Sequence, residues 1–305
     1  MTSWLPASLQ KYALWALAEL FQSKHALLSE KEGMARLESA KRFLQDDNVL
    51  VLFQSPHQHQ LFERAIGGRI SVRTSLVIPA NRDLIYESEK DTRRLSVGKG
   101  KIIFMFAARA SFDRGLHFLL DAWSELTHRK NMLKLVVRCD AAGERIERQV
   151  ARLQENGFDI DMVYGKLDDQ KFVDLHRQAH FVVNPAMWEE PLAGSVIEGF
   201  DLGTPAIVPT RTGSSCFVKS GWNGYSYEFR DKVSLLKCLE MAVENINSWE
   251  HLHNGALATS RKYRRFTNLQ LEYIRSVITP DPESRTIIPS GAQETVQDGI
   301  STLRK

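Results

Sequence analysis

Hydrophobic positions follow two different regimes along this chain, and the change comes near residue 101. Beyond it, short runs that are apolar throughout alternate with longer stretches whose apolar residues recur every three or four positions. The runs Lys101–Ala107, Leu133–Val137, Ile160–Tyr164, Phe181–Val183 and Ala206–Val208 have the length and composition of strands. Between them, Leu116–Leu126, Glu144–Asn156, Asp169–Gln178 and Ser195–Leu202 carry helical spacing. Such alternation predicts βαβ units on a parallel sheet. Because the strands are apolar at successive positions, both faces of that sheet are expected to carry helices. The fold class expected is α/β, a doubly wound parallel-sheet domain over residues 101–278.

Before residue 101 the pattern is less complete. Helical spacing over 8–29 and 31–45 precedes one strand, Val49–Phe53. A short helix near His57–Ala65 and an extended piece, Ser75–Pro79, follow. One strand makes no sheet, so this portion is expected to lean on the α/β domain or on a partner. The charged stretch Glu87–Lys101 reads as a surface loop or linker, placed at 87–100. The end, 279–305, is rich in Pro, Ser, Thr and Gly and reads as a disordered tail.

Composition narrows the function classes. Hydrophobic residues at 43% and charged residues at 25% are ordinary for a soluble globular protein. A net charge of +3 is too mild to argue for nucleic acid, and no nucleic-acid partner is expected. Cys139, Cys216 and Cys238 are far apart and share no metal-ligand or disulfide spacing, which fits a reducing, cytoplasmic setting. No apolar run reaches the length of a membrane span. The segment Tyr12–Phe21 contains Glu19 and lacks a cleavage site, so it reads as an amphipathic helix rather than a leader. It packs on its own protein or, alternatively, docks on a membrane surface or partner. The basic run Arg261–Arg265 carries the same two readings, a solvated helix face or peripheral contact with an anionic membrane.

The candidate chemistry gathers at the strand ends. After the first strand, Arg109 and Arg114 flank a turn that closes on Gly115 and opens a helix. Guanidinium donors beside a helix N-terminus suit a diphosphate, although two solvated loop charges would look the same. The third strand ends in Tyr164-Gly165-Lys166-Leu167, and Asp168 caps the next helix. The fourth runs out through Asn184 to Glu190, with Glu198 eight positions on, inside a helix. A Gly203-Thr204-Pro205 break then leads to the fifth strand, which ends in Thr210–Ser215. Four strand ends of one parallel sheet thus carry Gly, basic, acidic or hydroxyl residues, at the edge where open α/β folds bind ligands.

In order and spacing these residues resemble the C-terminal half of the retaining GT-B glycosyltransferases of the family 4 class. Arg109…Arg114-Gly115 is similar to that family's Arg-x4-Lys-Gly turn. Glu190-x7-Glu198 running to Pro205 is similar to its Glu-x7-Glu and Gly-x-Pro elements, and Gly221–Gly224 to its late Gly-x-Asn-Gly turn. The likeness covers about residues 48–275. It implies a Rossmann-like domain that binds a nucleotide-diphosphate sugar, and an incomplete N-terminal portion over 1–86.

Carried over, the resemblance makes Arg109, Arg114 and Glu190 catalytic: the arginines clasp the diphosphate and Glu190 binds hydroxyls of the transferred sugar. Glu198 takes the ribose hydroxyls, Gly165, Lys166 and Leu167 hold the base, and Leu192, Ala193, Gly194 and Ser195 offer amides to phosphate or sugar. No metal and no cofactor beyond the donor is implied.

The sequence also departs from the family pattern. Arg114 replaces a Lys, Leu192-Ala193 replaces Phe-Gly, Gly199 replaces an Ala, and Cys216 stands where an acid is common. No Gly-rich loop or histidine-bearing strand of a full N-terminal domain has a counterpart. His57 and His59 fall where the family has an ordinary helix start, so a cap or surface role is expected for them. The expected function is transfer of a sugar to a glycan, lipid or small-molecule acceptor with retention of configuration. The alternative is a non-catalytic or split-subunit nucleotide-sugar-binding protein that needs a partner chain for the acceptor domain. An epimerase or phosphorylase of similar architecture lacks supporting motifs.

Overall fold

A computed structural model of the chain describes residues 50–70, 73–76 and 100–278, together with Glu38, Ser39, Lys41, Arg42 and Leu44. These fall into two compact units: one takes the described residues up to Leu76 and those from Thr267 on, the other residues 100–266. The helices expected over 8–29 and most of 31–45, the stretch 77–99 and the tail 279–305 lie outside the described residues.

In the smaller unit, β1 (Leu50–Phe53) leads to α1 (Pro56–Ile66) and then β2 (Arg73–Leu76). Ser55 caps α1 by accepting the Gln58 amide at 3.1 Å, Pro56 fills its first turn, and Gly67 ends it with φ 75°. His57 and His59 lie in the first turns of this helix, where His59 packs edge-on against Phe53 at 4.8 Å. The expectation of a lone strand is corrected here. β1 and β2 pair in parallel, Leu50 with Arg73 through Phe53 with Leu76. The second strand begins two residues earlier than its apolar signal because Arg73 and Thr74 extend the ladder through backbone groups alone.

The larger unit is a six-stranded sheet in the order β5-β4-β3-β6-β7-β8, parallel throughout. Its strands are β3 (Ile102–Ala107), β4 (Leu133–Cys139), β5 (Asp159–Tyr164), β6 (Phe181–Val183), β7 (Ala206–Pro209) and β8 (Gly224–Tyr227). The helices between and after them are α2 (Leu116–Trp123), α3 (Glu144–Glu155), α4 (Asp169–Gln178), α5 (Gly194–Asp201), α6 (Lys232–Glu244) and α7 (Trp249–Ile278). Asp168 caps α4 and Asp231 caps α6 through their carboxylates. The sixth strand was not foreseen: Gly224-Tyr225-Ser226-Tyr227 lacks an aliphatic run, and its first residue reads as a turn. Helix α2 also stops at Trp123 rather than Leu126, because Glu125 and Leu126 close short turns onto Ala122 and Trp123.

Both faces of the sheet are covered, which is why its strands are apolar at successive positions. Ile102, Phe104 and Phe106 of β3 enter one cluster with side chains of α2, α3, α6 and the start of α7. Ile103, Met105 and Ala107 enter another with Val182 and with Leu175 of α4. At the centre Phe104 stacks on Phe181 at 5.2 Å and meets Trp123 edge-on at 5.4 Å. Trp249 fastens α7 beneath β6 by donating its indole N–H to the His180 carbonyl at 2.7 Å.

The strand order reverses between β3 and β6, and the carboxyl ends of these neighbouring strands form the edge where open α/β sheets bind ligands. Phe181 holds that reversal point and is fully buried. Phe181→Ala is expected to destabilise the protein by about 3–5 kcal/mol. Urea unfolding should show a lowered midpoint with an unchanged slope; an unmoved midpoint would take Phe181 out of the core.

Candidate active site

The candidate site is built by closing two loops on each other. After β3 the chain passes Arg109 and Ser111 into a single 3-10 turn, Phe112–Arg114, and then Gly115. Gly115 has φ 72°, and a Cβ there would lie 1.8 Å from the Pro185 carbonyl oxygen. Only glycine lets the loop after β3 press this closely on the loop after β6. The Met187 amide completes the seam by donating to the Asp113 carbonyl at 2.8 Å.

The seam brings Arg114 against Glu190. Glu190 is fully buried; its carboxylate pairs with Nη1 of Arg114 on one oxygen and accepts from Nδ2 of Asn184 at 2.5 Å on the other. Its own carbonyl accepts the Gly213 amide at 2.8 Å. Burial raises the carboxyl above its ordinary value, opposed by the Arg114 charge and the Asn184 hydrogen bond. Removing either partner would strand a buried polar group, the costliest way to break such a pair. Tyr227 lies behind Asn184 and donates to its carbonyl at 3.4 Å. Its phenol is raised well above the ordinary range by burial and by the nearby Glu190 charge. Arg114 also sits 3.5 Å from Asp113 and places its guanidinium 5.7 Å from the centre of the Trp188 ring.

Glu198 lies within α5 and is buried. The helix starts after Ala193, whose amide donates to the buried Ser214 hydroxyl at 3.0 Å. Leu192, Gly194 and Ser195 are half-buried around this start. First-turn amides of a helix have no partner within it and carry the positive end of its dipole. Asp201 anchors the other end of α5. It is buried and accepts from Ser260 at 2.5 Å, from Arg264 at 2.9 and 2.6 Å, and from the Tyr263 hydroxyl.

Other expected residues stand apart from this cluster. Arg109 is exposed on the loop after β3 and makes no ion pair among the described residues. Gly165, Lys166 and Leu167 form the turn after β5, which is separated from β3 by β4. Gly165 has φ 85°; its amide donates to the Cys139 carbonyl at 3.0 Å, and its carbonyl accepts from Arg138 at 3.1 Å. Lys166 is exposed, and Leu167 packs on Phe172 and Leu202. Asn184 and Ser214 stand in the sequence only among strand-end residues without a role, and Tyr227 carries no signal there. The trace of Asn184 in the sequence is an amide directly after the apolar run Phe181–Val183.

Known proteins share this architecture. The family model described as Glycosyl transferases group 1 matches residues 87–257, more than half of the chain. A lipopolysaccharide 1,2-N-acetylglucosaminetransferase of Salmonella typhimurium is 29% identical over 140 residues, which cover 44% of this chain and 36% of that protein. The chain therefore spans little more than a third of that curated relative. Among solved structures, the sucrose-phosphate synthase of Thermosynechococcus elongatus gives a TM-score of 0.68 at 17% identity, covering 88% of this chain and 67% of its own. The Anabaena protein HepE, in complex with UDP, gives 0.65 at 17% identity, covering 87% and 76%. These likenesses show the Rossmann-like GT-B fold. Among the described residues no helix is long and apolar enough to cross a membrane.

The raised carboxyl of Glu190 has a consequence for stability. As pH climbs from the ordinary carboxyl value of 4.5, the unfolded chain loses this proton first, while the native state keeps it until its own higher value is passed. Glu190 therefore contributes stability at low pH that is lost as pH rises through the native value. Glu190→Gln should remove that loss, so the advantage of wild type over the variant shrinks between pH 4.5 and neutrality. Denaturation midpoints of both proteins across this range check it; an advantage that grows with pH would mean the Arg114 charge outweighs burial.

Proposed function

Because the chain belongs to the Glycosyl transferases group 1 family, we propose that it transfers a sugar from a nucleotide-diphosphate donor to an acceptor, with retention of configuration at the sugar. The observation that carries this reading is the buried contact of Arg114, Glu190 and Asn184 at the reversal of strand order. A carboxylate and a guanidinium locked together beside a helix N-terminus form a fixed polar wall. Such a wall suits a ligand that bears hydroxyl groups next to a diphosphate.

Roles follow from chemistry and position. As the sugar leaves, negative charge grows on the diphosphate, and prearranged cationic donors lower that barrier most. Arg109 and Arg114 supply them. Nη1 of Arg114 is engaged by Glu190, which leaves the donors of Nη2 for a phosphate oxygen. The amides of Gly194 and Ser195 add the dipole of α5. Glu190 accepts from sugar hydroxyls and Glu198 from those of the ribose. The turn Gly165–Leu167 holds the base through its backbone. With two arginines and a helix end carrying the charge, the reading needs no metal.

UDP-linked hexoses are the first donors to examine. The Salmonella relative is named for N-acetylglucosamine transfer, and HepE was solved with UDP. The acceptor is a glycan, a lipid-linked glycan or a small molecule, and peripheral contact with a membrane belongs to the second of these. Calorimetric titration of UDP-, GDP- and ADP-sugars into wild type and Glu198→Ala tests the proposal. Binding of one nucleotide class is expected, weakened about tenfold or more in the variant by loss of hydrogen bonds to a charged group. Glutamate-dependent binding without sugar release would favour a binding module working with a partner chain. Absence of binding to every nucleotide sugar would sink the proposal.

A further inference from the structure

Two residues other than glycine have positive φ among the described residues, Arg211 and Arg230, each at 62°. An L-residue with a long side chain is strained there, and glycine would not be. Both lie in turns at the carboxyl edge, Arg211 just after β7 and Arg230 just after β8. Their guanidinium groups rest on the same ring, Phe229, at 5.4 and 4.9 Å from its centre. The turns are tied together, since Thr210 donates its amide to the Tyr227 carbonyl at 2.7 Å and accepts the Phe229 amide at 3.1 Å.

Both arginines then reach to the loop that carries Glu190. Arg230 donates Nε and Nη2 to the Met187 carbonyl at 2.8 and 2.5 Å, and Arg211 pairs with Glu189. Met187 is thus held on two sides, its amide by Asp113 from the loop after β3 and its carbonyl by Arg230 from beyond β8. Strained backbone at two arginines that share one ring and grip one loop is a built feature, and strain of this kind gathers where geometry must be over-determined.

We infer that Arg211, Phe229 and Arg230 form a clasp whose task is to set the position of Glu190, and through it the recognition of the donor's sugar rather than of its nucleotide. All three are positioning residues. The inference rests on the nucleotide-sugar reading above. The clasp grips Met187 and Glu189 and makes no hydrogen bond or ion pair with Arg109 or Arg114 among the described residues, so its loss should separate the two halves of the donor. A small shift of a positioned group costs one to two powers of ten in what depends on it.

The test uses the full chain with UDP and UDP-N-acetylglucosamine as paired probes, and amide hydrogen exchange read over residues 186–190 without ligand. In Arg230→Ala and Phe229→Leu, exchange over that loop should quicken, affinity for UDP-N-acetylglucosamine should fall about tenfold, and affinity for UDP should stay within about twofold. Arg230→Lys, which keeps one donor to Met187, should recover part of the loss. Arg230→Gly should show the same loss while melting at or above the wild-type temperature, because glycine relieves the left-handed backbone. A structural role alone would lower both affinities together with the melting temperature, and that result overturns the inference. Unchanged exchange over 186–190 also overturns it, whatever the donor proves to be. A wild type that binds neither probe, with exchange quickened in the variants, overturns the nucleotide-sugar reading and with it the role assigned to the clasp.

Discussion

A fully buried carboxylate needs a partner for each oxygen, and Glu190 finds both where the loops leaving β3 and β6 meet. Asn184 comes from the end of β6 itself and Arg114 from the loop of its neighbour, so the pair forms only if these two strands are adjacent. The contact between their loops in turn requires Gly115, since any side chain there would collide with the Pro185 carbonyl. The reversal of strand order, the glycine contact and the buried carboxylate are therefore one arrangement. The two loops are fixed by the same contacts that satisfy Glu190, so this polar cluster has its shape without a ligand.

Much of the larger unit was legible because its strands are buried on both faces. Runs such as Ile102–Ala107 and Phe181–Val183 admit few readings once helical stretches separate them. The edge strand β8 escaped for the converse reason. Gly224 and Ser226 dilute its apolar signal, and its place in the sheet comes from backbone pairing with β7, Ala206 opposite Gly224 through Pro209 opposite Tyr227. The partner of β1 was hidden in the same way by Arg73 and Thr74. Ladder hydrogen bonds do not depend on side-chain type, so short strands that rely on them leave little trace in a sequence.

The site was legible as a set of residues and not as a set of contacts. Arg114 and Glu190 stand out by order and spacing, but 76 positions separate them, and nothing local says that they touch. The family resemblance implies phosphate for one and sugar for the other. Their ion pair puts both side chains in one network with Asn184. Asn184 and Tyr227 belong to that network and were passed over because a single buried amide and a single strand tyrosine look like ordinary core residues. Only the pairing of β6 with β7 and of β7 with β8 makes them neighbours of a carboxylate.

The two glutamates eight positions apart are supported in different ways, and this bears on what each can recognise. Glu198 sits on α5, which packs so closely on the sheet that a Cβ on Gly199 would be 3.1 Å from Val182. Asp201 and the Tyr263 hydroxyl, the latter also 3.0 Å from the Ile197 carbonyl, pin that helix to α7. Glu190 sits on a loop whose place is set by a handful of hydrogen bonds from three other loops. A carboxylate on a braced helix suits the part of a donor that does not vary, the ribose. One on a tethered loop suits the part that does, because changing a tether moves the carboxylate without disturbing the sheet. On the proposed reading, choice of sugar can therefore shift through residues that never touch it, while recognition of the nucleotide stays with the fold.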